Sequence, residues 1–188
     1  MPQALDHFIA ASRECARLHP EPADCVLAIA PLMHALLGRA DTFLQPHHFR
    51  TEPDHYARNA IYVSPDHSLS LYALVWQPGQ WTPVHDHGSW GVVGVLQGLL
   101  EERSYIRLDA HRETDEDIHL VRGGVVLLSP GTVTSFVPNP DHIHMSGVDA
   151  NSALTVSLHL YGRNMDSFCI YDMPARSRKR VNVPHNES

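Results

Sequence analysis

Apolar positions recur at helical spacing over residues 4–37 and at strand spacing from about residue 55, which predicts a helical N-terminal segment followed by a β-rich body. Leu5, Phe8, Ile9, Cys15 and Ala16 share one helical face, interrupted only by the small Ser12, and Pro20-Glu21-Pro22 ends that helix. A second helix is expected over 23–37, with Val26, Ile29, Leu32, Met33 and Leu36 apolar and Gly38 at its end. Pro31 inside this run should kink it or split it in two. Residues 39–54, which contain Pro46 and Pro53, read as a linker across the body of the protein.

Short strand-like runs follow at 56–63, 69–76, 90–96, 99–108, 118–121, 125–128, 133–137, 142–148 and 154–161. Turn residues separate them: Ser64-Pro65-Asp66, Pro78-Gly79, Gln97-Gly98, Gly123-Gly124, Pro130-Gly131 and Pro138-Asn139-Pro140. Many short strands without intervening helices imply a small antiparallel barrel rather than a parallel α/β sheet. The expected fold is therefore mainly β, with an N-terminal α-helical cap.

Composition refines this picture. At 188 residues, 43% hydrophobic and 19% charged, the chain suits one domain over 1–188: cap and linker at 1–54, barrel at 55–165, tail at 166–188. A net charge of −7 without a basic stripe argues against nucleic-acid binding. The basic run Arg176 to Arg180 reads as a solvated tail, and the acidic turn 113–117, flanked by His111 and His119, as a solvated loop. No run of about 18 apolar residues exists and the N-terminus lacks signal-peptide character, so a soluble cytoplasmic protein without a membrane partner is expected. Cys15, Cys25 and Cys169 are widely spaced and read as free thiols.

The chemistry concentrates in Thr82-Pro83-Val84-His85-Asp86-His87-Gly88-Ser89-Trp90-Gly91. In an extended strand His85 and His87 point to one face and can share a metal ion, while Asp86 points to the other. His7, His19, His34, His47, His48 and His185 lie in helical, linker or tail surroundings and read as bystanders.

The spacing from Gly79 through His85, His87 and Gly91 to Gly98 resembles the first metal motif of the cupin superfamily, with Gly91 where a Glu is usual. Gly124 through Pro130-Gly131 resembles the second motif, one residue short between Pro and Gly. That resemblance implies a double-stranded β-helix and a third ligand on a neighbouring strand. His144 suits this role, with His142 as its competitor.

Four segments narrow the likeness. Tyr56-Ala57-Arg58-Asn59, Leu74 with Trp76, the His85/His87/His144 set, and Ser157-Leu158-His159-Leu160-Tyr161 resemble the thiol dioxygenases of the cysteine dioxygenase family, bacterial members in particular. The resemblance implies Fe(II) held by His85, His87 and His144, a substrate carboxylate gripped by Arg58, a pocket lined by Tyr56, Leu74 and Trp76, and a Ser157-His159-Tyr161 relay. Arg163 is a weaker candidate for a second carboxylate contact, and Phe168, Tyr171 and Met173 for lining from the tail. Gly91 stands where vertebrate-type relatives carry a Cys crosslinked to the Tyr, so no crosslink is expected.

Three neutral imidazoles leave an Fe(II) centre short of negative charge, which a substrate thiolate can supply. The implied reaction oxidises a small thiol carboxylate, L-cysteine first, to its sulfinic acid with O2. Alternatives are the same chemistry on 3-mercaptopropionate or mercaptosuccinate, a metal-dependent sensor, or an isomerase or hydrolase using Zn or Mn. Partners are then the thiol and O2, and a homo-oligomer is compatible.

Overall fold

The computed structural model describes residues 2–110, 112–138 and 142–186; His111 and the Asn139-Pro140 turn lie outside them. Two helices open the chain, α1 (Gln3–Leu18) and α2 (Pro22–Leu37). α1 buries Leu5, Phe8, Ile9 and Ser12, the face its spacing defines. α2 begins on Pro22, where a missing N–H costs nothing, and runs through Pro31 without splitting. Both Pro31 and Leu27, whose carbonyl Pro31 cannot serve, are exposed, so water can satisfy that carbonyl.

Ten strands follow. β1 (Ala57–Val63), β2 (Ser70–Trp76), β3 (Gly91–Gln97), β6 (Val133–Phe136) and β8 (Thr155–Tyr161) form an antiparallel sheet in the order β1-β2-β8-β3-β6. β4 (Leu100–Arg107), β5 (Leu120–Leu128) and β7 (Ile143–Gly147) form a second, ordered β5-β4-β7. The runs expected at 118–121 and 125–128 are thus one strand: Gly123-Gly124 is no turn but lies opposite a register shift between Arg103 and Tyr105 of β4.

The tail is likewise ordered. β9 (Ser167–Asp172) and β10 (Ser177–Asn182) make an antiparallel hairpin, so the basic run is mostly strand rather than solvated tail. Arg178 reaches back to Asp115 at 2.7 Å, and the buried Arg107 donates to the Arg112 and Thr114 carbonyls. The acidic turn is therefore exposed but tied on both sides.

Residues 81–86 join the second sheet to the hairpin. His85 exchanges backbone hydrogen bonds with His144 at 2.8 and 2.9 Å, while Tyr171 donates to the Val84 carbonyl at 2.8 Å and Asp86 to that of Cys169 at 3.1 Å.

Strand alternation sorts the core into two layers. Leu71, Ala73, Val92, Leu158 and Leu160 face the helices, where Leu5, Phe8, Ile29 and Met33 meet them. Tyr72, Leu74, Trp76, Val93 and Val95 face the barrel interior with Phe136, Tyr161 and Phe168. Each large buried aliphatic contributes roughly 1.5–3 kcal/mol. At Gly94 α2 comes so close that a Cβ would lie 2.9 Å from Met33 Cγ. The architecture is the mainly β, helix-capped cupin barrel that the resemblance implies.

Candidate metal centre

Because β8 is covered by helices on one face, its alternate residues Ser157, His159 and Tyr161 point into the barrel. His85 and His87 reach the same space from the 81–87 segment, and His144 from β7. The ligand-capable atoms of His85, His87 and His144 all lie within 4.8 Å of one another, and their ring centroids are 4.6 to 4.9 Å apart. All three residues are buried.

Burial first, then neighbouring imidazoles, holds His85 and His87 well below the ordinary imidazole range. His144 is also lowered by burial, against an opposing pull from Glu102. The three rings are accordingly neutral near pH 7, the form in which imidazole offers a lone pair to a metal. His85 Nδ1 lies 3.0 Å from the Pro83 carbonyl, which leaves Nε2 free. His144 Nδ1 faces the Glu102 carboxylate at 3.4 Å, while His144 Nε2 and His87 Nδ1 are buried without a hydrogen-bond partner among the described residues. One ring nitrogen from each of the three buried histidines, all within 4.8 Å of one another, is a donor set that fits a divalent cation.

His142 falls outside this trio. Its Nε2 lies 3.5 Å from Glu102 Oε1, while Glu102 Oε2 lies 3.4 Å from His144 Nδ1. Burial pushes the Glu102 carboxyl up, but contact with these two imidazoles outweighs it and holds the group well below the usual carboxylate range. Glu102 escapes sequence reasoning. Its signal is alternation along 99–108, but its partner becomes visible only through the register, which pairs Ser104 with His144 and puts Glu102 on the same face.

A directional chain of hydrogen bonds runs along the opposite wall. Trp76 Nε1–H donates to Ser157 Oγ at 3.0 Å; Ser157 Oγ lies 2.8 Å from His159 Nε2; His159 Nδ1 lies 3.3 Å from the Tyr161 hydroxyl. Trp76 can only donate, so Ser157 accepts from it and keeps its own hydroxyl proton available to His159 Nε2. His159, lowered to about 3 by burial, stays neutral, and with Ser157 assigned as the donor to Nε2 its proton is placed on Nδ1. Nδ1–H then donates to Tyr161, whose phenol, raised by burial, keeps its own proton for the cavity.

The cavity, about 20 Å³, is lined by the three histidines, Tyr56, Arg58, Leu74, Trp76, Thr82, Ser146, His159, Tyr161, Met165 and Phe168. Tyr56 stacks on Trp76 with centroids 4.5 Å apart. Arg58 is buried and held by carbonyls: Nη1 donates to Val183 and Pro184 at 3.1 and 3.2 Å, and Nη2 to Met165 at 2.5 Å. Its Nε–H and one Nη2–H remain without a partner among the described residues.

Several expected residues lie elsewhere. Arg163 is turned to the His87 and Ser167 carbonyls and does not line the cavity. Of the three tail residues only Phe168 does: the Tyr171 hydroxyl donates to Asp86 at 2.8 Å, and Met173 borders a separate surface depression. Asp86 faces away from the histidines and also accepts from the Cys169 N–H at 3.3 Å. Cys15, Cys25 and Cys169 are free thiols.

Solved structures with related folds include the TT1209 protein of Thermus thermophilus, at 18% identity and TM-score 0.43 over 61% of this chain and 89% of that one. Another is an uncharacterized double-stranded β-helix protein of Klebsiella pneumoniae, at 12% identity and TM-score 0.44 over 77% and 88%. A third is an RmlC-like cupin of Ralstonia eutropha, at 12% identity and TM-score 0.45 over 71% and 78%. The family described as cysteine dioxygenase type I matches residues 26–183, a span that takes in the three histidines, Arg58 and Tyr161. By that match the chain belongs to the cysteine dioxygenase type I family.

Proposed function

We propose that this protein is an Fe(II)-dependent thiol dioxygenase that converts a small thiol carboxylate, L-cysteine first, to its sulfinic acid with O2. The observation that carries the reading is one cavity on which three neutral imidazoles, a guanidinium and a hydrogen-bonded tyrosine converge. Bound Fe(II) would hold the thiolate and activate dioxygen.

The protein's own groups do the rest. His85, His87 and His144 supply neutral donors, so the centre keeps its positive charge and favours an anionic sulfur. Arg58 offers Nε–H and Nη2–H to the carboxylate, and its carbonyl contacts fix the plane of that fork. Tyr161, aligned by His159, Ser157 and Trp76, donates its proton toward the reacting group without losing it. Leu74, Met165 and Phe168 exclude water around the sulfur. Among the described residues that line the cavity Arg58 is the one Lys or Arg side chain, which supports a monocarboxylate thiol such as cysteine or 3-mercaptopropionate over mercaptosuccinate.

Oxygen-electrode assays of the iron-loaded protein with the three thiols provide the test. Uptake with cysteine at one O2 per sulfinate is expected; absence of uptake with every thiol on a fully iron-loaded sample would overturn the proposal. His85→Ala should lose most bound iron by elemental analysis.

A further inference from the structure

The three histidines are held from behind in three different ways. His85 leans on the Pro83 carbonyl and His144 on the Glu102 carboxylate, at 3.0 and 3.4 Å. Nδ1 of His87 has no hydrogen-bond partner among the described residues. Instead the imidazole lies against the ring of Phe136, with centroids 4.3 Å apart and planes within 23°.

Strand register explains how Phe136 gets there. Gly91 of β3 pairs with Tyr161 of β8 on one side and with Phe136 of β6 on the other, so the three form one cross-strand row. A Cβ at residue 91 would sit 2.3 Å from Phe136 Cζ and 2.8 Å from both Cε atoms. The buried phenyl ring therefore leans over β3 through space that any side chain at 91 would need. From there it also meets His142 at 4.5 Å and Tyr161 at 6.2 Å.

We propose that Phe136 is the positioning residue for His87, and that glycine at 91 is the steric condition for it. This rests on the metal-binding reading of the three histidines.

The test compares the parent, Phe136→Leu, Phe136→Tyr, Gly91→Ala and the double variant Gly91→Ala/Phe136→Leu. Fe(II) affinity is measured anaerobically by chelator competition, ligand geometry by the visible spectrum of the Co(II)-loaded protein, and folding by thermal melting. Loss of the ring should weaken Fe(II) binding by about 10- to 100-fold, as removal of a ligand's supporting partner does, and shift the Co(II) bands. Phe136→Tyr, which keeps the ring plane, should stay within about threefold of the parent. Gly91→Ala should weaken binding by displacing the ring, and in the double variant it should add little to the loss already caused by Phe136→Leu. Leu71→Ala, in the helix-facing core, should lower the melting temperature and leave affinity unchanged.

Parent-like affinity and spectrum in Phe136→Leu, or losses that simply add in the double variant, would overturn the role of Phe136. A parent that binds no Fe(II) would instead overturn the three-histidine reading itself. Should Phe136→Leu fail to fold, the contrast between Phe136→Tyr and Gly91→Ala decides, and equal affinities there would overturn the proposal.

Discussion

At the residue scale, the relay shows what alternation can and cannot reveal. Ser157, His159 and Tyr161 are readable as one face because a strand repeats every two residues. The donor that sets their direction, Trp76, is not, because its reach to Ser157 depends on a β2–β8 register that opposes Leu74 to Ser157. Trp76→Phe keeps most of the ring and removes that donor. Freed from Trp76, Ser157 can turn, and kcat should fall about 3- to 10-fold with iron content unchanged, the effect of roughly one hydrogen bond. An unchanged kcat in steady-state assays would show that the chain needs no such terminus. His159 also makes a pH statement. Its folded-state pKa, about 3, lies below the unfolded imidazole value, so the unfolded chain binds protons first. The contribution of neutral His159 is intact above about pH 6.5 and is lost as pH falls from there toward 3. Melting curves of His159→Gln should show a shallower acid decline than the parent; an identical slope would count against this account.

Elements are legible where pattern and punctuation agree, and obscured where pairing alone decides. The helices and most strands of the two main sheets stand close to where apolar spacing puts them. Gly123-Gly124 looks like a turn by composition, yet β4 keeps the chain extended past it, and only the local register slips. The β9–β10 hairpin escapes a reading by pattern because Ser177–Asn182 is basic and polar, and becomes a strand only through β9. Beside the backbone bonds of Val84 and Asp86, the Asp86 side chain fastens that hairpin to the histidine segment by way of the Tyr171 hydroxyl and the Cys169 N–H. Asp86→Ala removes both acceptors and should cost about 1–3 kcal/mol, a fall of several degrees in melting temperature for a chain of this size. Since Asp86 faces away from the cavity, metal content measured on the folded variant should hold near the parent value. Pro31→Ala should act in the opposite direction: an N–H returned to the exposed Leu27 carbonyl is expected to raise thermal stability by about 1 kcal/mol or more.

Across the whole molecule, the cavity is a junction: β1, β2 and β8 give one wall, the 81–87 segment and β7 the other, and residues after β8 close it. Closure reaches as far as the end of the described chain. Asn186 donates its N–H to the Arg58 carbonyl at 2.7 Å and accepts from the Ala60 N–H at 2.9 Å, adding a short parallel bridge to the edge of β1. Its side chain donates to Asn59 at 3.0 Å, and the carbonyls of Val183 and Pro184 meet the Arg58 guanidinium. A buried arginine without these carbonyls would keep its charge but lose the contacts that fix its fork. Two effects then compete when the chain is ended at Asn182. Two donors become available to a carboxylate, yet the group that must present them is no longer held in one plane. Orientation should dominate, because bidentate capture needs two donors aligned at once, whereas released donors are satisfied by water. KM for cysteine is expected to rise about tenfold, equivalent to about 1.4 kcal/mol, with kcat and iron content close to the parent. Steady-state kinetics with metal analysis on the truncated protein would check this. A KM at or below the parent value would mean instead that the carbonyls restrain Arg58 rather than prepare it.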